Sequence, residues 1–223
     1  TVKNYVYLFH SEDLRSMIFG TLILAVVVAV ISTILGTLGA IGAFYSSKKL
    51  KRPIHLMNQI PVVNADVVTG FSICVLLIVF FKMDKASYIP LVIGLVSLCS
   101  PFVYLSVIPR LKQMDPQLYE AALDLGCSPF GALRKVVLPQ LTSGIVSGFM
   151  MSITLTLDDY FITTYTKPSM FDTISTYVVN ATKGAQTDVK TALWALSTII
   201  FLIVIFVVIG MNHTGRKEND HEI

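Results

Sequence analysis

Three carboxylates stand where the surrounding sequence is apolar, and they are the first candidates for chemistry. Asp66 lies in the run Pro61 to Phe81, and Asp158 and Asp159 end the run that begins near Leu141. A charged side chain in such surroundings is costly, so it marks an ion or solute path, a relay, or a cap. No lysine or arginine lies inside any apolar run to neutralise these acids. A cavity lined by them attracts a positively charged solute and repels sulfate or phosphate. The plainer readings are an Asp66 that snorkels to an interface and an Asp158/Asp159 pair that caps a helix or turn. Adjacent positions for Asp158 and Asp159 do not suit an intramembrane aspartyl protease. No metal site is expected. Cys74, Cys99 and Cys127, with His10, His55, His213 and His221, have neither disulfide nor metal-ligand spacing.

The second candidate is the polar stretch Asp115 to Pro139, DPQLYEAALDLGCSPFGALRKVVLP. Its punctuation predicts two short helices. Asp115 caps the first, Pro116 takes its first helical position, and Gly126 supplies a left-handed turn. Ser128 and Pro129 repeat the start for the second, which Pro139 closes. Ala121 and Ala122 are small enough for close contact with another surface. Glu120 and Asp124 stand four residues apart, a like-charge pair that suits a nearby cation, from a partner or from Arg134 and Lys135, or else a merely solvated face. Gly126-x4-Gly131 begins like a phosphate loop but continues Ala132-Leu133, without the Lys-Ser/Thr that holds phosphate and magnesium. The chain is therefore not expected to hydrolyse ATP.

The elements that position these residues are membrane helices. Of the 223 residues 54% are hydrophobic and 14% charged, whereas a soluble domain carries about 25% charged residues. Five spans are predicted: about 17–44, 62–81, 88–108, 141–157 and 193–211. Asp66 then sits about 6–7 Å into the second span at about 1.5 Å per residue, and Asp158 and Asp159 lie near the opposite face. In the first span Ser32, Gly36 and Ala40, and likewise Gly39 and Ala43, recur every four residues and form a packing face. Pro101 and several serines predict a kinked or interrupted third span. A polar loop is expected over 158–190. The loops after spans one and three and the tail hold ten of the 17 lysines and arginines, with a dense cluster at Lys48–Arg52. This places the Asp115–Pro139 stretch and the C-terminus in the cytoplasm and Thr1 outside. Five spans with an external start imply one further helix upstream of Thr1.

The stretch also carries a resemblance. Glu120-Ala121-Ala122, Gly126 and Val136-x-Leu138-Pro139 resemble the EAA motif of membrane subunits of binding-protein-dependent ABC importers, matched at every fixed position. Pro61-x2-Asn64-Ala65-Asp66-Val67-Val68 and Thr154-Leu155-Thr156-Leu157-Asp158-Asp159 are similar to strings of the spermidine/putrescine permease subfamily. The likeness covers about residues 5–211, and departs at the front, where the family has one more helix.

That resemblance implies an all-α, type I importer permease with a transmembrane domain over 1–211, a coupling loop over 110–139 and a cytoplasmic tail over 212–223. It implies an ATPase-coupling role for Glu120, Ala121, Ala122, Gly126, Leu138 and Pro139, and a substrate-path role for Asp66, Asp158 and Asp159. It implies no cofactor in this chain, with ATP and magnesium held by a partner. The partners would be two copies of an ABC ATPase, a second permease, an extracytoplasmic polyamine-binding protein and the lipid of a bacterial inner membrane, with no nucleic acid. The cargo would be a polyamine, or in a related reading another cation such as iron(III) or thiamine. A secondary cation transporter is the reading from another class.

Overall fold

The computed structural model describes residues 12–47, 66–84, 86–115 and 117–183, with isolated positions at 53, 54, 56, 58, 198, 202, 205, 206 and 209. The predicted fifth span, apart from those isolated positions, the tail and the start of the second span fall outside them. The described residues are mostly helix joined by short connections, and no strand occurs among them.

Helix α1 covers Glu12–Tyr45 without a proline and is long and apolar enough to cross a membrane. Helix α2 covers Asp66–Cys74 and continues as a wider π turn over Val75–Phe80. It ends where Phe81 N–H bonds to Leu76 O at 3.0 Å and Lys82 takes a φ of 51°. Helix α3 covers Ile89–Gln113 and is a second candidate span. It runs unbroken through Pro101 and Pro109, so the predicted interruption does not occur. Its serines donate to their own helix, Ser97 to Ile93 O at 2.8 Å, Ser100 to Val96 O at 2.7 Å and Ser106 to Phe102 O at 2.9 Å. Bonded back in this way, a serine costs a membrane helix little.

The bracket follows. Helix α4 covers Gln117–Asp124, α5 Pro129–Ala132, a π turn Leu133–Val137, and α6 Leu138–Gln140. The second arm ends one residue past Pro139. A π turn bonds i to i+5, and Leu138 N–H reaches Leu133 O across it, so the widened ladder carries the chain past proline to Gln140. The stop comes at Leu141, where the axis bends by 70° into α7, Thr142–Asp158. Two more helices occupy the predicted polar loop: α8, Phe161–Thr166, and α9, Ile174–Lys183.

Helices α1, α3 and α7 pack side by side as the body of the molecule. They meet at Val103. A Cβ on Gly36 of α1 would lie 2.6 Å from Val103 Cβ, and one on Gly148 of α7 would lie 3.1 Å from Val103 Cα. Two bare backbones thus close on one β-branched side chain, the close approach that small residues permit in membranes. Ser32, Gly36, Ala40 and Ala43 are buried as the spacing predicts. Gly39 is not part of that face, since nothing lies within 4 Å of its Cβ position. Two apolar clusters result. One, around Leu24, Leu91, Leu95 and Ile162, lies at the end where α3 begins; the other, around Ala40, Val107, Val137 and Leu141, lies at the bracket.

Candidate functional site

The bracket is assembled as its sequence dictates. Asp115 Oδ1 accepts Gln117 N–H at 2.9 Å, opening α4. Gly126 takes a φ of +86°, and across it Cys127 N–H bonds to Ala122 O at 3.0 Å. Open space surrounds the Gly126 Cβ position, so glycine is needed there for its backbone angle and not for room. Ser128 Oγ accepts Gly131 N–H at 3.2 Å and caps α5. The Gly126-x4-Gly131 string is thus a helix-end turn followed by a cap.

Helix α4 presents two faces. Ala122 is buried at 7% exposure and Tyr119 is half-buried against the bracket cluster, while Glu120, Ala121 and Asp124 are exposed. Of the two alanines, one seats the bracket on the bundle and the other is left for a partner. Leu138 is half-buried and Pro139 exposed. Among the described residues no ion pair joins Glu120 or Asp124 to Arg134 or Lys135, so the like-charge pair is not neutralised within the bracket. Sequence reasoning passed over the apolar residues that the bracket exposes: Leu125 at 87%, Phe130 at 75%, and Leu118. Their signal was available, as apolar side chains at the turn of an otherwise polar stretch.

Gly144 of α7 packs on Val107, Gly148 on Val103, and Cys99 Sγ lies 3.6 Å from Thr156 Oγ1, so α7 runs antiparallel to α3 and carries Asp158 and Asp159 towards the end where α3 begins. Helix α8 continues from there, seated across α2 and α3. A Cβ on Gly70 would lie 3.0 Å from Ile162 Cα, and one on Gly94 would lie 2.8 Å from Ile162 Cγ2. Asp66, whose side chain is outside the described residues, opens α2 about one turn before Gly70. The backbones of all three acids thus approach Ile162 and are not held at opposite ends.

The pair also divides. Asp158 is exposed. Asp159 is 9% exposed and caps α8: Oδ2 accepts Thr163 N–H and Thr163 Oγ–H, both at 2.8 Å, and Oδ1 accepts Ile162 N–H at 3.4 Å. Its backbone carbonyl accepts Ser175 Oγ–H, tying α8 to α9. Nearby, Lys167 Nζ donates to Phe171 O at 2.9 Å and pairs with Asp172. Neither Ser175 nor the Lys167–Asp172 pair was anticipated, because each is made by a fold within a stretch that reads as loop.

Comparison with known proteins gives this geometry a context. The family described as binding-protein-dependent transport system inner membrane component matches residues 34–214. The spermidine/putrescine transport system permease protein of Escherichia coli K12 is 28% identical over 220 residues, covering 98% of this chain and 81% of that protein. The putrescine transport system permease protein of the same strain is 28% identical over 209 residues, covering 88% and 70%. Among solved structures, a bacterial ABC transporter involved in the import of alginate matches with a TM-score of 0.75 at 19% identity, covering 96% of this chain and 83% of that one. An inward-facing MetNI methionine ABC transporter matches with a TM-score of 0.70 at 14% identity, covering 93% and 98%. The fold is that of ABC importer permeases.

Proposed function

This chain belongs to the family of binding-protein-dependent transport system inner membrane components, and from that premise we propose that it is a polyamine-conducting permease subunit whose transport is driven by a partner ATPase. The observation that carries the second half is the bracket: a capped, glycine-turned pair of arms that exposes Glu120, Ala121, Leu125 and Phe130 while anchoring Ala122 and Val137 in the core. An exposed apolar patch beside unneutralised acids suits a docking surface that supplies a groove and a cation. Glu120, Ala121, Ala122 and Gly126 form its first arm, and Leu138 and Pro139 end its second.

The chain itself lacks a phosphate loop, so ATP and magnesium belong to the partner, present in two copies. A second permease completes the path, and an extracytoplasmic binding protein delivers the solute. The lysines and arginines favour a cytoplasmic bracket and tail. The cargo reading rests on the two polyamine-transport relatives and on the acids. Asp158 ends α7, where the helix dipole is negative, and Asp159 and Asp66 lie close along the chain's fold. Several diffuse carboxylate attractions suit a flexible polycation that must also be released.

The test is ATP hydrolysis by the purified transporter in the presence of its binding protein. Stimulation by spermidine- or putrescine-loaded binding protein is expected. Glu120→Lys should abolish the stimulation while the binding protein still docks. No response to either polyamine refutes the cargo, and normal uptake by Glu120→Lys refutes the coupling role.

A further inference from the structure

Helix α1 touches both ends of the molecule, and its contacts there are specific. At the bracket, the Tyr45 ring lies 5.0 Å from the Tyr119 ring at an interplanar angle of 44°, and Phe44 meets Tyr45 edge-on at 5.2 Å. Tyr119 directly precedes Glu120 and sits three residues from Ala122, on the face of α4 turned to the bundle. At the other end, Thr21 Oγ1 accepts Ile174 N–H at 3.2 Å while donating to Met17 O at 2.8 Å. The Phe171 ring lies over Gly20, 3.1 Å from its Cβ position, and meets Tyr88 edge-on at 5.3 Å. Lys167 fixes Phe171 in turn through its carbonyl.

Between these contacts α1 is one helix of 34 residues, about 51 Å long. It contains no proline, and prolines are the commonest cause of a sharp kink. Val103 grips it between those contacts, at Gly36. A helix held at both ends and gripped between them is suited to carry a displacement from one end to the other.

We propose that Tyr45 and Tyr119 clasp α4 to α1, and that α1 is the strut through which the segment Phe171–Ile174 sets the position of Glu120. The proposal deepens the reading of the bracket as the ATPase-coupling element and rests on it. Tyr45, Tyr119 and Thr21 are positioning residues: none touches the solute or the partner's nucleotide. An aromatic pair contributes about 0.5–1.5 kcal/mol beyond its buried area, enough to hold α4 in one register but not to hold the fold.

The experiment uses the whole transporter in lipid nanodiscs, with ATP hydrolysis measured per assembled complex. The quantity read is the ratio of the rate with loaded binding protein to the rate without it. Tyr119→Leu should lower this ratio by between about twofold and about tenfold, and Tyr119→Phe, which keeps the ring, should restore it. Tyr45→Leu should lower it similarly, and the double variant should be no worse than either single one, because one contact is lost in each case. Thr21→Val keeps the side-chain shape and removes the acceptor for Ile174, about 36 Å along α1 from Tyr45; it should lower the ratio in the same direction. An unchanged ratio in Tyr119→Leu overturns the clasp, and an unchanged ratio in Thr21→Val overturns the strut. If Glu120→Lys also leaves the ratio intact, the coupling reading falls and takes both with it.

Discussion

The bracket at one end and the α7–α8–α9 segment towards the other are built to the same plan in sequence. Each is a polar stretch next to an apolar run, each has an aspartate or serine cap, and each breaks one helix to start another. Their side chains go opposite ways. The bracket turns Leu125 and Phe130 outward and spends a left-handed glycine on a free turn. The α8 segment buries Ile162, Thr163 and Thr166, with Ile162 against the glycine backbones of α2 and α3 and Thr166 against that of α3. Threonine explains the second case. Thr164 donates to Tyr160 O at 2.6 Å and Thr166 to Ile162 O at 2.7 Å, so the hydroxyls are satisfied within the helix and the methyls are free to pack. A polar run is therefore no guide to exposure when its polar groups can bond to their own backbone.

If that contrast is right, substitutions in α8 should cost stability and substitutions in the bracket should cost coupling. The largest effect is expected from Ile162→Ala, which empties the space between Gly70 and Gly94. A loss of about 2–5 kcal/mol should appear as a lower midpoint of thermal denaturation in detergent. Gly126→Ala comes next, at about 1–2 kcal/mol for a left-handed angle forced on a side chain, with a coupling defect greater than that loss explains. Asp159→Ala removes the cap of α8 and should cost about 0.5–2 kcal/mol. Its neighbour sharpens the comparison: Asp158→Ala, at an exposed position, should leave stability within about 0.5 kcal/mol while lowering polyamine uptake. Smallest in stability is Phe130→Ser on the bracket turn, again within about 0.5 kcal/mol, yet it should reduce ATPase stimulation. A stability loss for Phe130→Ser equal to that of Ile162→Ala would erase the distinction.

The parts of the molecule legible in the sequence were those written by local rules. Caps at Asp115 and Ser128, the turn at Gly126 and the Ser32–Gly36–Ala40 face follow from a few neighbouring residues each, and all are present. The family followed from the fixed spacing of the bracket. What could not be read depends on contacts between distant segments. Gly70 and Gly94 look like ordinary small residues until Ile162 is placed between them, and the helix Phe161–Thr166 that carries it reads as loop until it is seated there. Pro101 does not interrupt α3, and the second arm of the bracket runs one residue past Pro139, where a π turn widens the ladder ahead of the proline.

The bend at Leu141 has a mechanical corollary. Leu141 is buried at the bend, so the direction in which α7 leaves the bracket, and with it the place of Asp158 about 25 Å further on, is set where the bracket meets the bundle.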